Sequence, residues 1–132
     1  MKLYEATGKH KPKKRESFVT DIETDTVDNT NYRKVLHTTN LSQLVLMSLK
    51  PGEEIGMETH EKGDQFIRID SGKGKVILDG KEQTITDGSA MVIAAGTEHN
   101  IINTSKTEDL KLYAVYTPPE HPEGTLQKDK PE

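Results

Sequence analysis

Glu58 and His60 stand two residues apart in the stretch METHEKGDQF, and a glutamine, Gln65, follows in the same run. Side chains at i and i+2 share one face of an extended chain, so Glu58 and His60 can address one object, as the edge of a metal site does. The sequence has five histidines: His10, His37, His60, His99 and His121. Two of them occupy settings that a metal ion needs. His60 closes a strand whose alternate residue is Glu58. His99 opens another strand directly after AAGTE, where a glycine lets the chain turn sharply and aim the first strand residue inward.

Elements able to position such residues are visible around them. Turn signals recur at Pro51-Gly52, Lys62-Gly63-Asp64, Ser71-Gly72-Lys73-Gly74, Asp79-Gly80, Asp87-Gly88 and Ala95-Gly96-Thr97. Between them lie FIRID (66–70), KVILD (75–79), QTITD (83–87), AMVI (90–93) and HNIIN (99–103), rich in β-branched residues. YRKVLHT (32–38), LSQLVLMSL (41–49) and LKLYAVYT (110–117) read as further strands. Short strands at this spacing predict an all-β sandwich or barrel, and their number suits a jelly roll. A helical apolar period without an interrupting glycine or turn signal is absent from windows of a dozen residues.

At 132 residues the chain is one domain. Residues 1–16 read as a polar N-terminal arm, 17–117 as the barrel and 118–132 as a proline-rich tail; the two ends hold five of the six prolines. Twenty-two acidic and 18 basic residues, well mixed, give a net charge of −4 and argue against a nucleic-acid surface. The basic cluster Lys9 to Arg15 reads as a solvated terminus. No apolar run approaches a membrane span, and the N-terminus lacks a signal-peptide stretch, so no membrane partner and a cytoplasmic location are expected. Zero cysteines exclude disulfides, zinc-thiolate sites and thiol nucleophiles. GKGK (72–75) lacks the helix that a phosphate-cradling loop feeds, and no serine sits in an elbow-like setting.

Two spaced motifs resemble those of the cupin superfamily, small jelly-roll barrels that commonly hold a metal. The first reads Gly52-EEIGM-Glu58-Thr59-His60-EKGD-Gln65-FIRIDS-Gly72, and the second Gly88-SAMVI-Ala94-Ala95-Gly96-TE-His99-NII-Asn103. Every spacing fits, with alanine in place of the second motif's usual proline. The resemblance spans residues 41 to 117. It implies a ligand set of Glu58, His60, Gln65 and His99 for one divalent metal ion per chain, of the iron, manganese, nickel or zinc type. Glu58 replaces the usual first histidine and Gln65 the usual glutamate. The set still carries one carboxylate, so its charge of −1 is kept while the carboxylate has moved. Glu58, His60 and His99 make the two-histidine, one-carboxylate set that divalent iron and related metals accept, with Gln65 as a weak oxygen ligand or an orienting hydrogen-bond partner. Asp64 is the alternative oxygen ligand, because the first motif tolerates the shorter spacing.

Other polar residues read more plainly. His37 is expected packed or partly exposed rather than ligating, and His121 exposed in the tail unless the tail folds over the barrel mouth. Asn103 shares a face with His99 and either bonds within the cavity or ends its strand. Tyr113 and Tyr116 are possible proton-transfer groups, although no catalytic residue is assigned. Arg68 alternates away from Gln65, so no basic pair for a phosphate is visible.

The resemblance implies a metalloenzyme acting on a small polar substrate, a sugar or a keto or hydroxy acid. Isomerases such as the mannose-6-phosphate isomerase-like type, or dioxygenases, are the implied reaction types. The alternative is a non-catalytic small-ligand (sugar) binding or sensing cupin. It also implies a homodimer, with the strand-like SFVTDIE (17–23) adding to a neighbouring sheet edge.

Overall fold

A computed structural model of the protein describes residues 16–132. The basic cluster Lys9 to Arg15 falls outside the described residues. Among the described residues, nine strands form two antiparallel sheets. They are β1 (Arg33–Thr38), β2 (Gln43–Leu49), β3 (Asp64–Ser71), β4 (Lys73–Leu78), β5 (Lys81–Thr86), β6 (Ala90–Ile93), β7 (His99–Asn103), β8 (Leu110–Thr117) and β9 (Leu126–Gln127). The larger sheet runs β6-β3-β8-β2-β1-β9 and the smaller β5-β4-β7. The all-β jelly-roll expectation therefore holds, with β1 to β8 at the stretches read from the sequence; β9 lies in the stretch read as a proline-rich tail and pairs with β1.

Alternation decides which side chains point inward. In β8, Leu110, Leu112, Ala114 and Tyr116 are buried while the residues between them are partly exposed. Register carries that face across the large sheet: Leu112 pairs with Met47 and with Ile69, and Ala114 pairs with Val45 and with Ile67. Val76, Ile85 and Ile101 of the small sheet complete the core. Each fully buried Leu or Ile contributes roughly 1.5–3 kcal/mol of transfer free energy. At the end of the same inward face the row changes character. Gln65, Tyr116 and Gln43 lie side by side there, so the floor of the barrel is apolar and its mouth polar.

The strand expected at SFVTDIE does not form. Residues 16–21 have no regular structure, and Ile22–Asp28 is a helix, α1, packed on β2, β3 and β8. Asp21 explains the difference. Its carboxylate accepts from the Thr24 N–H at 3.3 Å, and Glu23 and Asp25 place negative charge in the first turn. Seven residues are too few to show a helical period in the sequence. Among the described residues no helix is long and apolar enough to cross a membrane.

Candidate metal centre

The segment before β3 is not a ladder strand, yet it is stitched to β7. Ile55 N–H donates to Ile101 O at 3.0 Å, and Glu58 and His99 exchange both backbone hydrogen bonds at 2.9 Å in an isolated antiparallel bridge. Glu58 and His60 thus gain their shared orientation from one bridge rather than from a continuous strand. A further bond, Gly96 N–H to His60 O at 2.9 Å, ties the first motif to the turn preceding His99. Gly96 takes φ 87°, a conformation that favours glycine. Gly63, in the next turn, leaves no room for a side chain: a Cβ there would lie 2.7 Å from Thr117 O and 2.9 Å from Pro118 Cδ.

These bonds bring three ligand-type side chains together. One ligand atom each of Glu58, His60 and His99 lies within 4.8 Å of the others. His60 Nε2 is 3.1 Å from Glu58 Oε1, and His99 Nε2 is 3.9 Å from the same oxygen. The Nδ1 of His99 lies 2.9 Å from Thr97 O, and a carbonyl only accepts, so Nδ1 carries the proton. That leaves the Nε2 lone pair aimed at the cluster. Nε2 is buried and has no hydrogen-bond partner.

Gln65 is buried as well, and its Oε1 is likewise without a partner. It lines a cavity of about 400 Å³ together with His60, Tyr116 and Glu120. Asp64, the alternative to Gln65, is exposed and accepts from Ala95 N–H at 3.0 Å, so it fastens two turns and is no part of the cluster. Leaving a buried acceptor unmade costs about 1–3 kcal/mol. His99 Nε2, beside a carboxylate and a second imidazole, fits the donor set of a divalent ion, and Gln65 Oε1 shares the lining of the cavity with His60.

The other polar residues separate cleanly. His37 faces outward, stacked on Phe18 at 4.6 Å with Nε2 2.9 Å from Glu16 O. Asn103 is structural and terminates its strand: Nδ2 donates to the carbonyls of Leu49, Lys50 and Glu108. Arg68 pairs with Asp70 at 3.4 Å. Of the two tyrosines, Tyr113 lies beside Phe66 on the outer face, while Tyr116 is buried with its ring 5.9 Å from His60. Burial pushes the Tyr116 hydroxyl well above its usual pKa.

His121 is not exposed. The tail crosses the mouth, placing its ring 5.2 Å from that of Tyr116 with a buried, unpartnered Nε2. Burial, then the charges of Arg33 and His60, lower its pKa to about 4, so it is neutral at pH 7. Two residues at the site escaped the sequence reading. Glu120 Oε2 lies 3.3 Å from His60 Nδ1, and nothing in PPEHPEG distinguishes it from a solvated tail carboxylate. Arg33 belongs to the inward row, paired with Met47; its Nη1 donates to Gln127 Oε1 at 2.5 Å and its Nε is buried without a partner. Its alternation with buried Val35 was the available signal.

With this geometry in view, the comparisons are consistent. Residues 45–116 match the Cupin_2 family, a cupin domain. Uncharacterized protein L612 of Acanthamoeba polyphaga mimivirus is 44% identical over 119 residues, covering 87% of this chain and 74% of the viral one. Uncharacterized protein YrkC of Bacillus subtilis is 45% identical over 120 residues, covering 86% of this chain; the chain spans only 63% of the length of YrkC. The crystal structure of BH2720 from Bacillus halodurans superposes with a TM-score of 0.85 at 38% identity, covering 90% of this chain and 94% of that one. The fold, the paired motifs and these relatives lead to one conclusion: the chain belongs to the cupin family.

Proposed function

We propose that the protein is a mononuclear metalloenzyme acting on a small polar substrate, a sugar or a keto or hydroxy acid. Glu58, His60 and His99 would hold one divalent ion, with Gln65 Oε1 as the weaker fourth donor. The observation that carries this reading is the His99 Nε2 lone pair, buried, without a partner and aimed at a carboxylate and a second imidazole. When bound, such an ion supplies Lewis acidity to a carbonyl or hydroxyl oxygen, the chemistry shared by isomerases and dioxygenases.

The chain's own residues would set what enters. Pro118, Pro119 and Glu120 cover one side of the cavity and restrict water. Arg33 is a basic group of the inward face, and its charge reaches Tyr116 and His121 at the mouth. A homodimer remains part of the reading, supported by exposed Phe18, Leu41 and Val92 on the outside of the barrel.

The test is turnover by protein freed of metal with a chelator and reloaded with Fe(II), Mn(II), Ni(II) or Zn(II). The substrates are 2-hydroxy acids, 2-keto acids and aldose–ketose pairs, followed by NMR and by oxygen consumption. Metal-dependent conversion of one class is expected. Saturable binding without conversion, under every metal, would replace the enzyme with a non-catalytic ligand-binding or sensing cupin.

A further inference from the structure

The proline-rich tail is built into the site in a way that neither motif encodes. Gln43 is 1% exposed and sits in the inward row beside Tyr116. Its amide reads the tail backbone from both ends. Oε1 accepts from the N–H of Glu120 at 3.2 Å and of His121 at 3.0 Å, and Nε2 donates to His121 O at 2.7 Å. Nε2 also donates to Thr38 Oγ1 at 3.1 Å, while the two N–H donors and the one carbonyl acceptor of the tail fix the amide's orientation. Beyond this clamp the chain continues to β9, which pairs with β1. Residues 118–121 are therefore a strap held at both ends across the barrel mouth.

The strap carries a carboxylate to the outer nitrogen of a ligand-type histidine. His60 presents Nε2 to Glu58 and Nδ1 to Glu120. A carboxylate that accepts the Nδ1 proton leaves the Nε2 lone pair for a metal and raises its basicity, and removing such outer partners typically costs 10–100-fold in metal affinity. His99 has a backbone carbonyl in that role, at Thr97. His60 has no such partner within the barrel motifs and takes one from the tail.

We propose that Glu120 is a positioning residue for His60, and that Gln43 sets the affinity of the site by docking the strap that carries Glu120. The proposal rests on His60 being a ligand, as read above, and makes the tail a determinant of metal binding rather than a solvated end. It also explains a buried glutamine at a position whose neighbours along β2, Val45 and Met47, are apolar.

The experiment titrates Mn(II) and Ni(II) into full-length wild type, Glu120→Ala, Glu120→Asp and Gln43→Leu, with the melting temperature of each metal-free protein measured in parallel. Glu120→Ala is expected to weaken metal binding about 10- to 100-fold while leaving metal-free melting unchanged, since an exposed carboxylate adds little stability. Glu120→Asp should recover part of the loss. Gln43→Leu should weaken metal binding with Glu120 still present. Wild-type affinity in Glu120→Ala would overturn the proposal.

A second readout does not depend on metal. Crystal structures of metal-free protein should show the His60 ring held between Glu58 and Glu120 in wild type and turned or disordered in Glu120→Ala. Should wild type take up no metal, the proposed function fails, and the metal-free structures alone decide the role of Glu120: a displaced His60 ring in Glu120→Ala upholds it and an unchanged ring overturns it.

Discussion

His99→Ala is expected to abolish divalent-metal binding while leaving the barrel folded. The ring sits in the first position of β7, its Nδ1 is committed to Thr97 O, and its Nε2 is 3.9 Å from Glu58 Oε1. No other described imidazole can replace it, because His37 faces outward and His121 approaches from the strap. A metal that binds the wild type, at about 1,000 times its Kd, should stabilise the fold by about 4 kcal/mol. In the variant that stabilisation should vanish. The metal-free variant should melt close to the metal-free wild type, since the lost imidazole carried an unmade acceptor costing about 1–3 kcal/mol. His37→Ala is the control and should bind metal normally. Differential scanning fluorimetry with and without Ni(II) reads both; equal losses in the two variants would dismantle the ligand assignment.

The second large effect concerns the relocated carboxylate. Glu58→His alone leaves three imidazoles and an amide, with no negative ligand. One unit charge pair at 4 Å and an effective dielectric near 20 is worth about 4 kcal/mol, so this variant should lose roughly a hundred- to a thousandfold in metal affinity. Gln65→Glu alone adds a carboxylate beside Glu58 and should tighten binding. Combining the two restores a single carboxylate at position 65, and affinity should return to within about tenfold of wild type, a strongly non-additive cycle. Calorimetric titration of the four proteins measures the coupling. A double variant no better than Glu58→His would mean that position 65 does not reach the ion.

Much of this site was legible in the chain. The strands are, because β-branched runs and glycine turns alternate regularly and the inward face of β8 keeps a strict period. Glu58, His60 and His99 are, because motif spacing encodes which turns meet, and the Gly96–His60 and Glu58–His99 backbone bonds are that spacing made physical. What escaped depends on tertiary contacts without a local signature. The strand expected at 17–23 is absent: β-branched Val19, Thr20 and Ile22 mimic a strand in isolation, while Asp21 caps a helix that starts at Ile22. The place of His121 and Glu120 follows from Gln43, far away in sequence, and proline-rich composition alone says nothing of where a tail docks. Gln43 itself was readable: it alternates with Val45 and Met47, and a polar residue on a core face asks for a partner.

The central claim is that the partnerless His99 Nε2, with Glu58 and His60 beside it and Gln65 Oε1 near by, serves to hold an ion. The most direct measurement is the metal content of the full-length protein purified without a histidine tag, by plasma mass spectrometry, together with its melting temperature as Fe(II), Mn(II), Ni(II) or Zn(II) is added. Close to one divalent ion per chain, or a saturable rise in melting temperature with at least one of these metals, is predicted. Metal content near zero with no metal shifting the transition would contradict it.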